Sequence, residues 1–252
     1  MHRFYLPPGK CAGATLRLED REAHHAAQVL RLQPGDYVTV LDGAGHEFHC
    51  ESTQIAKREV MLRVAEEKFH PPLPARITLV QAIPKGKTFE IIVQKATELG
   101  AHRVVPLLTE RVVTRLEDER DAAHKVEKWR QVAIESIKQC GSPWLPEITP
   151  PLPLARYLAT KPAHELSLVA ALAGERFHVR RHFERFHSKH QRQPTSISVW
   201  VGPEGDFTPG ELATILAQGT LPITLGPNVL RAETAAICCL AVLSYELQAN
   251  AG

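Results

Sequence analysis

Two different periodicities of apolar residues divide the chain into two parts. Before residue 70, short alternating runs predict β-strands at 37–41, 46–55 and 60–65, and the turn at 32–36 leads into the first of them. A short helix is predicted at 22–30. Closely spaced short strands of this kind are typical of a small β-barrel.

After residue 74, buried strands alternate with amphipathic helices. The predicted strands are 77–83, 104–108, 166–172, 197–201 and 223–225. The predicted helices are 89–99 and 119–140, with one more after each of the last two strands. Such alternation predicts an α/β domain with a mostly parallel sheet covered on both faces. Because the segment 68–74 is rich in proline, it is the predicted linker, and we expect domains at 1–70 and 74–252.

Two glycine-lined turns near the end of the chain give the clearest functional signal. Residues 201–207 (VGPEGDF) and 225–235 (LGPNVLRAETA) each follow an apolar run and precede a helical pattern. Ligands of open α/β sheets bind at the carboxyl ends of strands, so we expect the two turns to share one small molecule. Thr208, Pro209 and Glu211 predict a capped helix start directly after the first turn.

Composition and missing motifs narrow the classes of ligand. The chain has 252 residues, a formal charge of +2 and 44% hydrophobic residues, which is typical of a globular protein. Its five cysteines are scattered without a Cys-x-x-Cys pair, so we expect neither a disulfide framework nor a metal site. The Gly-x-Gly-x-x-Gly and Gly-x-x-x-x-Gly-Lys-Ser/Thr fingerprints of dinucleotide and triphosphate sites are absent. With no long apolar stretch at its start or elsewhere, the chain is predicted to be cytoplasmic, without contact to membranes.

Charged residues flank both turns. Glu204 lies within the first turn, beside glycines that let a backbone approach a ligand closely. In the second turn, Glu233 suits the positive end of a helix dipole and is explained by that alone. Arg231 is not what the dipole would favour at this end, which makes it the stronger functional candidate.

Five segments, in the same order along most of the chain, carry a family resemblance. They are 3–5 (RFY), 94–100 (QKATELG), 202–205 (GPEG), 225–227 (LGP) and 230–235 (LRAETA). Together they resemble the RsmE family of 16S rRNA uracil-N3 methyltransferases. The resemblance implies a PUA-like RNA-binding β-barrel followed by a SPOUT methyltransferase domain, whose C-terminal trefoil knot is an exception to the rule against knots. It also implies S-adenosylmethionine as methyl donor, 16S rRNA of the small ribosomal subunit as partner, and a homodimer as working unit.

The resemblance assigns the donor pocket to three segments of the chain. Carried over by position, its cofactor-binding residues are Ala171, Leu172, Gly202, Pro203, Glu204, Gly205, Leu225, Gly226, Val229, Leu230 and Arg231. Three positions depart from the family pattern. Asp206 stands where the family usually has a second glycine, Asn228 where it often has a basic residue, and Ser142 where arginine is common.

The chemistry of N3 methylation suggests roles for the charged residues. The imide nitrogen of uracil is mostly protonated at neutral pH, so the site needs a base, a cation to stabilise charge on O2 or O4, or both. Arg231 is the candidate for charge stabilisation, and Glu204 or Glu233 for proton removal. For RNA contact we predict cations on loops and on the barrel. These are Arg3, Lys85, Lys87 and Arg111.

The segment 175–192 is strongly basic and has three interpretations. It contains six Lys/Arg and two Asp/Glu residues, which gives a local charge of +4, interleaved with histidines and phenylalanines. RNA binding suits this composition. An exposed helix or loop with Phe177 and Phe186 packed beneath it suits the segment as well. Zinc binding is the weakest interpretation, because the histidines lack cysteine partners.

Two other functions compete with base methylation. The SPOUT ribose 2′-O-methyltransferases usually carry Ser-Leu-Asn-Val-Ser in the last knot helix, whereas this chain has Leu-Arg-Ala-Glu-Thr at 230–234. A non-catalytic RNA-binding or ribosome-assembly protein is the other alternative, and Asp206 is the residue that favours it.

Overall fold

A computed structural model describes residues 2–112, 119–160, 162–172 and 174–248 of the chain. The chain divides into two compact units, the first formed by Met1–Pro72 with Ile134–Leu145 and the second by Leu73–Ala133 with Pro146–Gly252. The segment Ile134–Leu145, which the sequence assigns to the second domain, therefore groups with the first unit. The domain bounds 1–70 and 74–252 stay a prediction.

The first unit is built on a five-stranded sheet. Its elements are β1 (His2–Tyr5), β2 (Thr15–Glu19), α1 (Asp20–His24) continued by a π-helical turn (His25–Val29), β3 (Tyr37–Leu41), β4 (His46–Ile55) and β5 (Glu59–Phe69). The strand order is β1-β3-β4-β5-β2. Only the β1–β3 pair is parallel among these described strands. Phe4, Leu16, Val38 and Leu62 belong to the buried core of this unit.

Strand β5 is longer than the predicted 60–65, because charged residues extend its ladder. Glu67 pairs with Phe48 of β4, and Lys68 pairs with Glu47. The Glu67 carboxylate lies 2.8 Å from Nδ1 of His46. Apolar alternation ends before these residues, so the pattern could not show that the strand continues. The predicted helix at 22–30 likewise begins earlier, at Asp20.

The second unit is built on a seven-stranded sheet. Its elements are β6 (Arg76–Ala82), α2 (Thr88–Glu98), β7 (Arg103–Leu108), α3 (Glu119–Cys140, whose part from Ile134 onwards groups with the first unit), β8 (Glu147–Ile148), β9 (Leu152–Pro153), α4 (Leu154–Ala159), β10 (Leu166–Ala170), α5 (Val179–His190), β11 (Ser196–Val201), α6 (Pro209–Ala217), β12 (Leu221–Ile223) and α7 (Ala232–Gln248). The order is β12-β10-β11-β6-β7-β8, and β9 also pairs with β7. Every pair is parallel among the described strands, which confirms the predicted α/β sheet.

Helices cover both faces of this sheet, as the alternation predicts. On one face, Tyr157 of α4 and Ile215 of α6 pack with Trp200 and Val169. On the other, α7 packs against α2, α5, β6 and β11. No helix in the described ranges is long and apolar enough to cross a membrane.

The strand order brings the loops after three strands to the same end of the sheet. From β10 the chain enters β11 on one side, and after β11 it returns to β12 on the other side of β10. Because the three strands are parallel neighbours, their carboxyl ends at Ala170, Val201 and Ile223 lie along the same edge. This arrangement is the switch point at which open α/β sheets bind ligands.

The turn after β11 is fixed at its far end by a capping box. Thr208 Oγ1 accepts a hydrogen bond from the Glu211 amide at 3.3 Å, and the Glu211 carboxylate accepts one from the Thr208 amide at 2.9 Å. Glu211 is buried, and its other carboxylate oxygen accepts from the Glu110 amide at 2.8 Å. The predicted helix start is therefore confirmed, and it also ties α6 to the segment after β7.

Removing the cap should destabilise the second unit without disrupting its fold. We expect Thr208→Ala to lower the free energy of unfolding by about 1 kcal/mol, because the Glu211 amide loses its acceptor. Thr208→Ser keeps the hydroxyl and serves as the control. Urea denaturation followed by circular dichroism measures both variants, and equal midpoints for Ala and Ser would contradict the assignment.

Candidate functional site

A cleft that opens to solvent lies at the carboxyl ends of the parallel strands. The end of β10, the turn after β11 and the segment from β12 to α7 form its walls. Nine of the predicted cofactor-binding residues line it: Ala171, Leu172, Gly202, Pro203, Glu204, Leu225, Gly226, Val229 and Leu230. Gly205 and Arg231 do not line the cleft.

Gly202 allows the first turn to close on itself. A Cβ atom at this position would lie 2.8 Å from the Asp206 carboxylate and 3.0 Å from the Phe207 amide nitrogen. The first distance is shorter than Cβ atoms show in real structures and the second is tighter than most, so a side chain here would push the turn apart. The Asp206 amide donates to the Pro203 carbonyl at 2.9 Å, which completes the tight turn.

Asp206 connects the first turn to the end of β10. One carboxylate oxygen accepts from the Leu172 amide at 3.1 Å, and the other accepts from the Phe207 amide at 2.8 Å. Its backbone adopts a left-handed conformation, with φ of 59°. Glycine tolerates that conformation best, and aspartate is among the few other residues that visit it. The departure from the family glycine is therefore accommodated, and its side chain joins two walls of the cleft.

Gln81 lies beneath the first turn. Its side chain is fully buried, and Nε2 donates to the Ala82 carbonyl at 2.9 Å and lies 3.4 Å from each of the Val201 and Gly202 carbonyls. These contacts tie the end of β6 to the start of the turn. The signal available in the sequence was a glutamine within an apolar run. Its position along the chain could not show which residues it contacts.

The second wall begins one residue after β12, which spans Leu221–Ile223 and not the predicted 223–225. Phe177 bridges Ile223, and the Thr224 amide donates to the Phe177 carbonyl at 3.1 Å. The Thr224 hydroxyl accepts from the Gly226 amide at 3.2 Å. Gly226 has φ of 118°, which L side chains rarely adopt. A glycine is needed here so that the chain can turn from β12 into the cleft wall.

The three candidate catalytic residues occupy different positions around the cleft. Glu204 lines the cleft, is exposed, and accepts a hydrogen bond from the Lys85 amide at 2.9 Å. Arg231 is exposed and precedes α7, between Leu230 and Ala232, which both line the cleft. Glu233 is half-buried in the first turn of α7 and does not line the cleft. The two carboxylates therefore differ in their access to a bound ligand.

Two of the predicted RNA-binding cations contact the first turn. Lys85 contacts it through the hydrogen bond to Glu204, and Lys87 follows in the same exposed segment before α2. Arg111 is exposed and donates to the Gly205 carbonyl. Lys85 thus contacts the turn through its backbone amide, and Arg111 contacts it through its charged guanidinium.

Arg3 has a structural role in the first unit. Its guanidinium donates to the carbonyls of Lys138 and Gln139, at 3.3 and 3.2 Å, near the end of α3. A Cβ atom at Gly141 would lie only 3.0 Å from it, so that glycine lets the guanidinium approach. A cation at a helix C-terminus also suits the helix dipole. These contacts account for Arg3 within the fold, and its RNA contact stays a prediction.

The remaining departures from the family pattern have simple local settings. Ser142 shapes a turn, because its hydroxyl accepts from the Trp144 amide at 3.2 Å and lies 3.1 Å from the Trp144 carbonyl oxygen. Asn228 is exposed and lines the cleft. Among the described residues, no group of three or more His, Cys, Asp or Glu side chains could hold a metal ion.

The sequence did not single out Arg176, which also lines the cleft. Its guanidinium donates to the Ala171 carbonyl at 3.0 Å, so it is held at the end of β10. It belongs to the basic segment 175–192, whose many cations cannot be told apart by composition. The only sequence feature that could have indicated a site role for Arg176 was its position shortly after a predicted strand.

Two family models match the chain, and each covers a separate region. The RNA methyltransferase domain model matches residues 71–244, and the RNA methyltransferase PUA domain model matches residues 18–64. The PUA match confirms the predicted PUA-like fold of the first part. The methyltransferase match covers more than half of the chain.

Named relatives match over almost the whole chain. Ribosomal RNA small subunit methyltransferase E from Synechocystis is 32% identical, over 98% of this chain and 78% of the relative. The Bacillus subtilis protein of the same name is 29% identical, over 93% and 91%. The crystal structure of the Neisseria gonorrhoeae protein of that name, bound to S-adenosyl methionine, has a TM-score of 0.84, with 27% identity and 98% coverage of both chains. The chain therefore belongs to the ribosomal RNA small subunit methyltransferase E (RsmE) family.

Proposed function

We propose that this protein transfers a methyl group from S-adenosylmethionine to N3 of a uridine in 16S rRNA of the small ribosomal subunit. The observation that carries the proposal is the single cleft that three loops form at the carboxyl edge of the parallel sheet. Nine of the eleven residues that the family resemblance assigns to the donor line that cleft. Membership of the RsmE family supports the same substrate and the same reaction.

The residues of the cleft fit this donor. Ala171, Pro203, Ile223 and Leu225 give small apolar walls that suit a flat purine and a short thioether chain. Arg176 supplies a positive charge for a carboxylate, and the backbone of the glycine turns can approach closely. When bound, the donor supplies a methyl group on a sulfonium, which is reactive without further activation.

The protein's own residues must act on the uracil. As the N3–methyl bond forms, the bond from sulfur to methyl breaks, and the proton on N3 has to leave. A carboxylate within reach of N3 would accept that proton. A cation near O2 or O4 would stabilise the negative charge that spreads onto those oxygens. We assign the first role to Glu204, because it lines the cleft, and the second to Arg231 at the rim.

Glu233 fits a different role. It lies in the first turn of α7, half-buried, and does not line the cleft. A carboxylate at that position stabilises the helix through its dipole. Of the two carboxylates left open by the sequence, the cleft therefore favours Glu204 as the base.

The two competing functions lose support at particular residues. The non-catalytic alternative rested on Asp206, and in the structure Asp206 lines the cleft and joins two of its walls. The ribose 2′-O-methyltransferase alternative has no support in the second turn, which lacks the Ser-Leu-Asn-Val-Ser motif of that group. Membership of the RsmE family favours methylation of the nucleobase over methylation of the ribose.

Two parts of the proposal concern assembly and location. We include a homodimer, in a cytoplasmic setting where rRNA is found. Large apolar side chains exposed on the packed helices α2 and α7 support self-association, since Ile91 is 49% exposed and Tyr245 is 64% exposed. The C-terminal trefoil knot implied by the resemblance belongs to the proposal in the same way.

Replacing each of the two carboxylates separately by an amide tests which of them is the general base. We expect Glu204→Gln to lower the single-turnover methylation rate by about 10²- to 10⁴-fold, because a general base contributes that much. Glu233→Gln is the matched control and should keep the rate within about threefold, with a stability loss of about 0.3–1 kcal/mol from the helix dipole. Rapid-quench assays on small subunits, with saturating donor, measure both. A larger rate loss in the Glu233 variant would contradict the assignment.

Arg231 should act on the rate and not on donor binding. We expect Arg231→Ala to reduce the single-turnover rate by about 10²- to 10³-fold, which is typical when one group that stabilises developing charge is removed. Calorimetric affinity for S-adenosylmethionine should stay within about threefold, and Arg231→Lys should recover part of the rate. A wild-type rate in the alanine variant would sink the role of Arg231.

The whole proposal is tested by mapping modified uridines. We expect small-subunit rRNA from cells that lack this protein to lose one N3-methyluridine, and a plasmid copy of the wild-type gene to restore it. Mass spectrometry of nuclease fragments reads the modification directly. An unchanged map would overturn the proposed function.

A further inference from the structure

Helix α5 presents three cations in one line on its exposed side. Arg181, Arg185 and Lys189 are spaced four residues apart and are all exposed, and we call them the α5 stripe. Successive members lie about 6 Å apart along the axis, given a rise of about 1.5 Å per residue. Like charges at this spacing repel each other on a helix. The stripe therefore destabilises the helix unless neighbouring negative groups neutralise its charge.

Carboxylates do not neutralise the stripe, although they neutralise its neighbours. Arg180 forms an ion pair with Glu246 at 3.3 Å, and Arg192 forms one with Glu165 at 2.6 Å. Hydrogen bonds from Arg192 and from the Thr195 backbone lower the pKa of Glu165 to about 2. Within the part of the chain that the structure describes, no carboxylate forms such a pair with a member of the stripe. Glu184 shares their shallow groove but lies beyond ion-pairing distance.

An aromatic ring orders the first two members of the stripe. The Arg181 guanidinium carbon lies 3.8 Å from the centre of the Phe177 ring, and that of Arg185 lies 5.7 Å from it. Such cation–π contacts hold guanidinium groups in place without neutralising their charge. Less conformational entropy is then lost when they bind an anion.

The stripe starts next to the cleft. Phe177 forms a bridge with Ile223, which lines the cleft, and its carbonyl accepts from the Thr224 amide. The preceding residue, Arg176, is itself a cleft residue. Buried Phe183 and Phe186 fix the other side of α5 in the core. Positive charge thus continues from the cleft along one rigid helix.

We propose that the α5 stripe binds the phosphate backbone of the rRNA strand that adjoins the target uridine. The inference rests on the proposed function, which supplies the RNA. Regularly spaced, ordered and unpaired cations suit a polyanion whose charges also repeat along a line. Of the three interpretations of segment 175–192, the exposed helix describes the structure: Phe186 is buried beneath it, whereas Phe177 is half-buried and precedes it. RNA binding then describes the outer side of the helix.

Two double variants that lose the same charge test the stripe. Arg181→Gln/Arg185→Gln removes two stripe charges from exposed positions. Arg76→Gln/Arg156→Gln is the matched control, since both arginines are exposed in the same unit, at the start of β6 and on α4. Affinity for a small-subunit rRNA fragment and for the intact subunit is measured from 50 to 300 mM salt, alongside calorimetric binding of S-adenosylmethionine.

We expect the stripe variant to bind both RNA and subunit roughly tenfold to thirtyfold more weakly at 0.15 M salt, because each phosphate contact contributes about fourfold to fivefold there. The slope of log affinity against log salt should fall by about 1.4–1.8, while the control variant and donor binding stay near wild type. An equal loss in both variants, or none, would overturn the stripe. A loss on the intact subunit but not on naked RNA would overturn it too, in favour of a protein contact. Absence of methylation by the wild-type protein would overturn only the proposed function, because the RNA comparison decides the stripe independently.

Discussion

The parallel alignment of three neighbouring strands is the constraint on which the rest of this structure depends. Because β10 pairs with both β11 and β12 in parallel, their three carboxyl ends must lie along one edge. Every loop that follows them is then forced into the same small region. The cleft, its glycine turns and the charged residues around it are consequences of that alignment.

Asp206 shows how a single residue can stabilise such a region. A glycine would reach the left-handed backbone at lower strain, but it would leave the Leu172 and Phe207 amides without the acceptors that the carboxylate gives them. This chain accepts some backbone strain and gains two hydrogen bonds, of which the one to Leu172 joins two walls of the cleft. Asp206, which departs from the family pattern in the sequence, therefore connects the first turn to the end of β10 in the structure.

Local patterns predicted most of the helices and strands, because apolar residues repeat with the period of the element whose face is buried. The alternation after residue 74 predicted the parallel sheet, and Thr208 with Glu211 predicted the capped start of α6. The sequence failed where long-range pairing decides the outcome. Strand β1 pairs with β3, the charged end of β5 pairs with β4, and β12 spans Leu221–Ile223, where Phe177 bridges it.

The candidate site was predictable to a similar extent and for similar reasons. Glycine turns at strand ends are local signals, so both were visible, and the family resemblance gave them a ligand. Arg176 and Gln81 act through contacts with distant segments, which spacing along the chain cannot show. The sequence showed that segment 175–192 is basic, but only the helix reveals which three cations face outwards with no carboxylate partner among the described residues.

The central claim is that the cleft at the carboxyl edge holds the methyl donor. Calorimetric titration of S-adenosylmethionine tests it most directly, with wild-type protein and with Ala235→Leu, which places a larger side chain on the cleft wall formed by α7. We expect the wild type to bind one donor molecule per chain, Ala235→Ser to bind it similarly, and Ala235→Leu to bind it at least tenfold more weakly while keeping its affinity for rRNA. No binding by the wild type, or equal binding by the leucine variant, would contradict the claim.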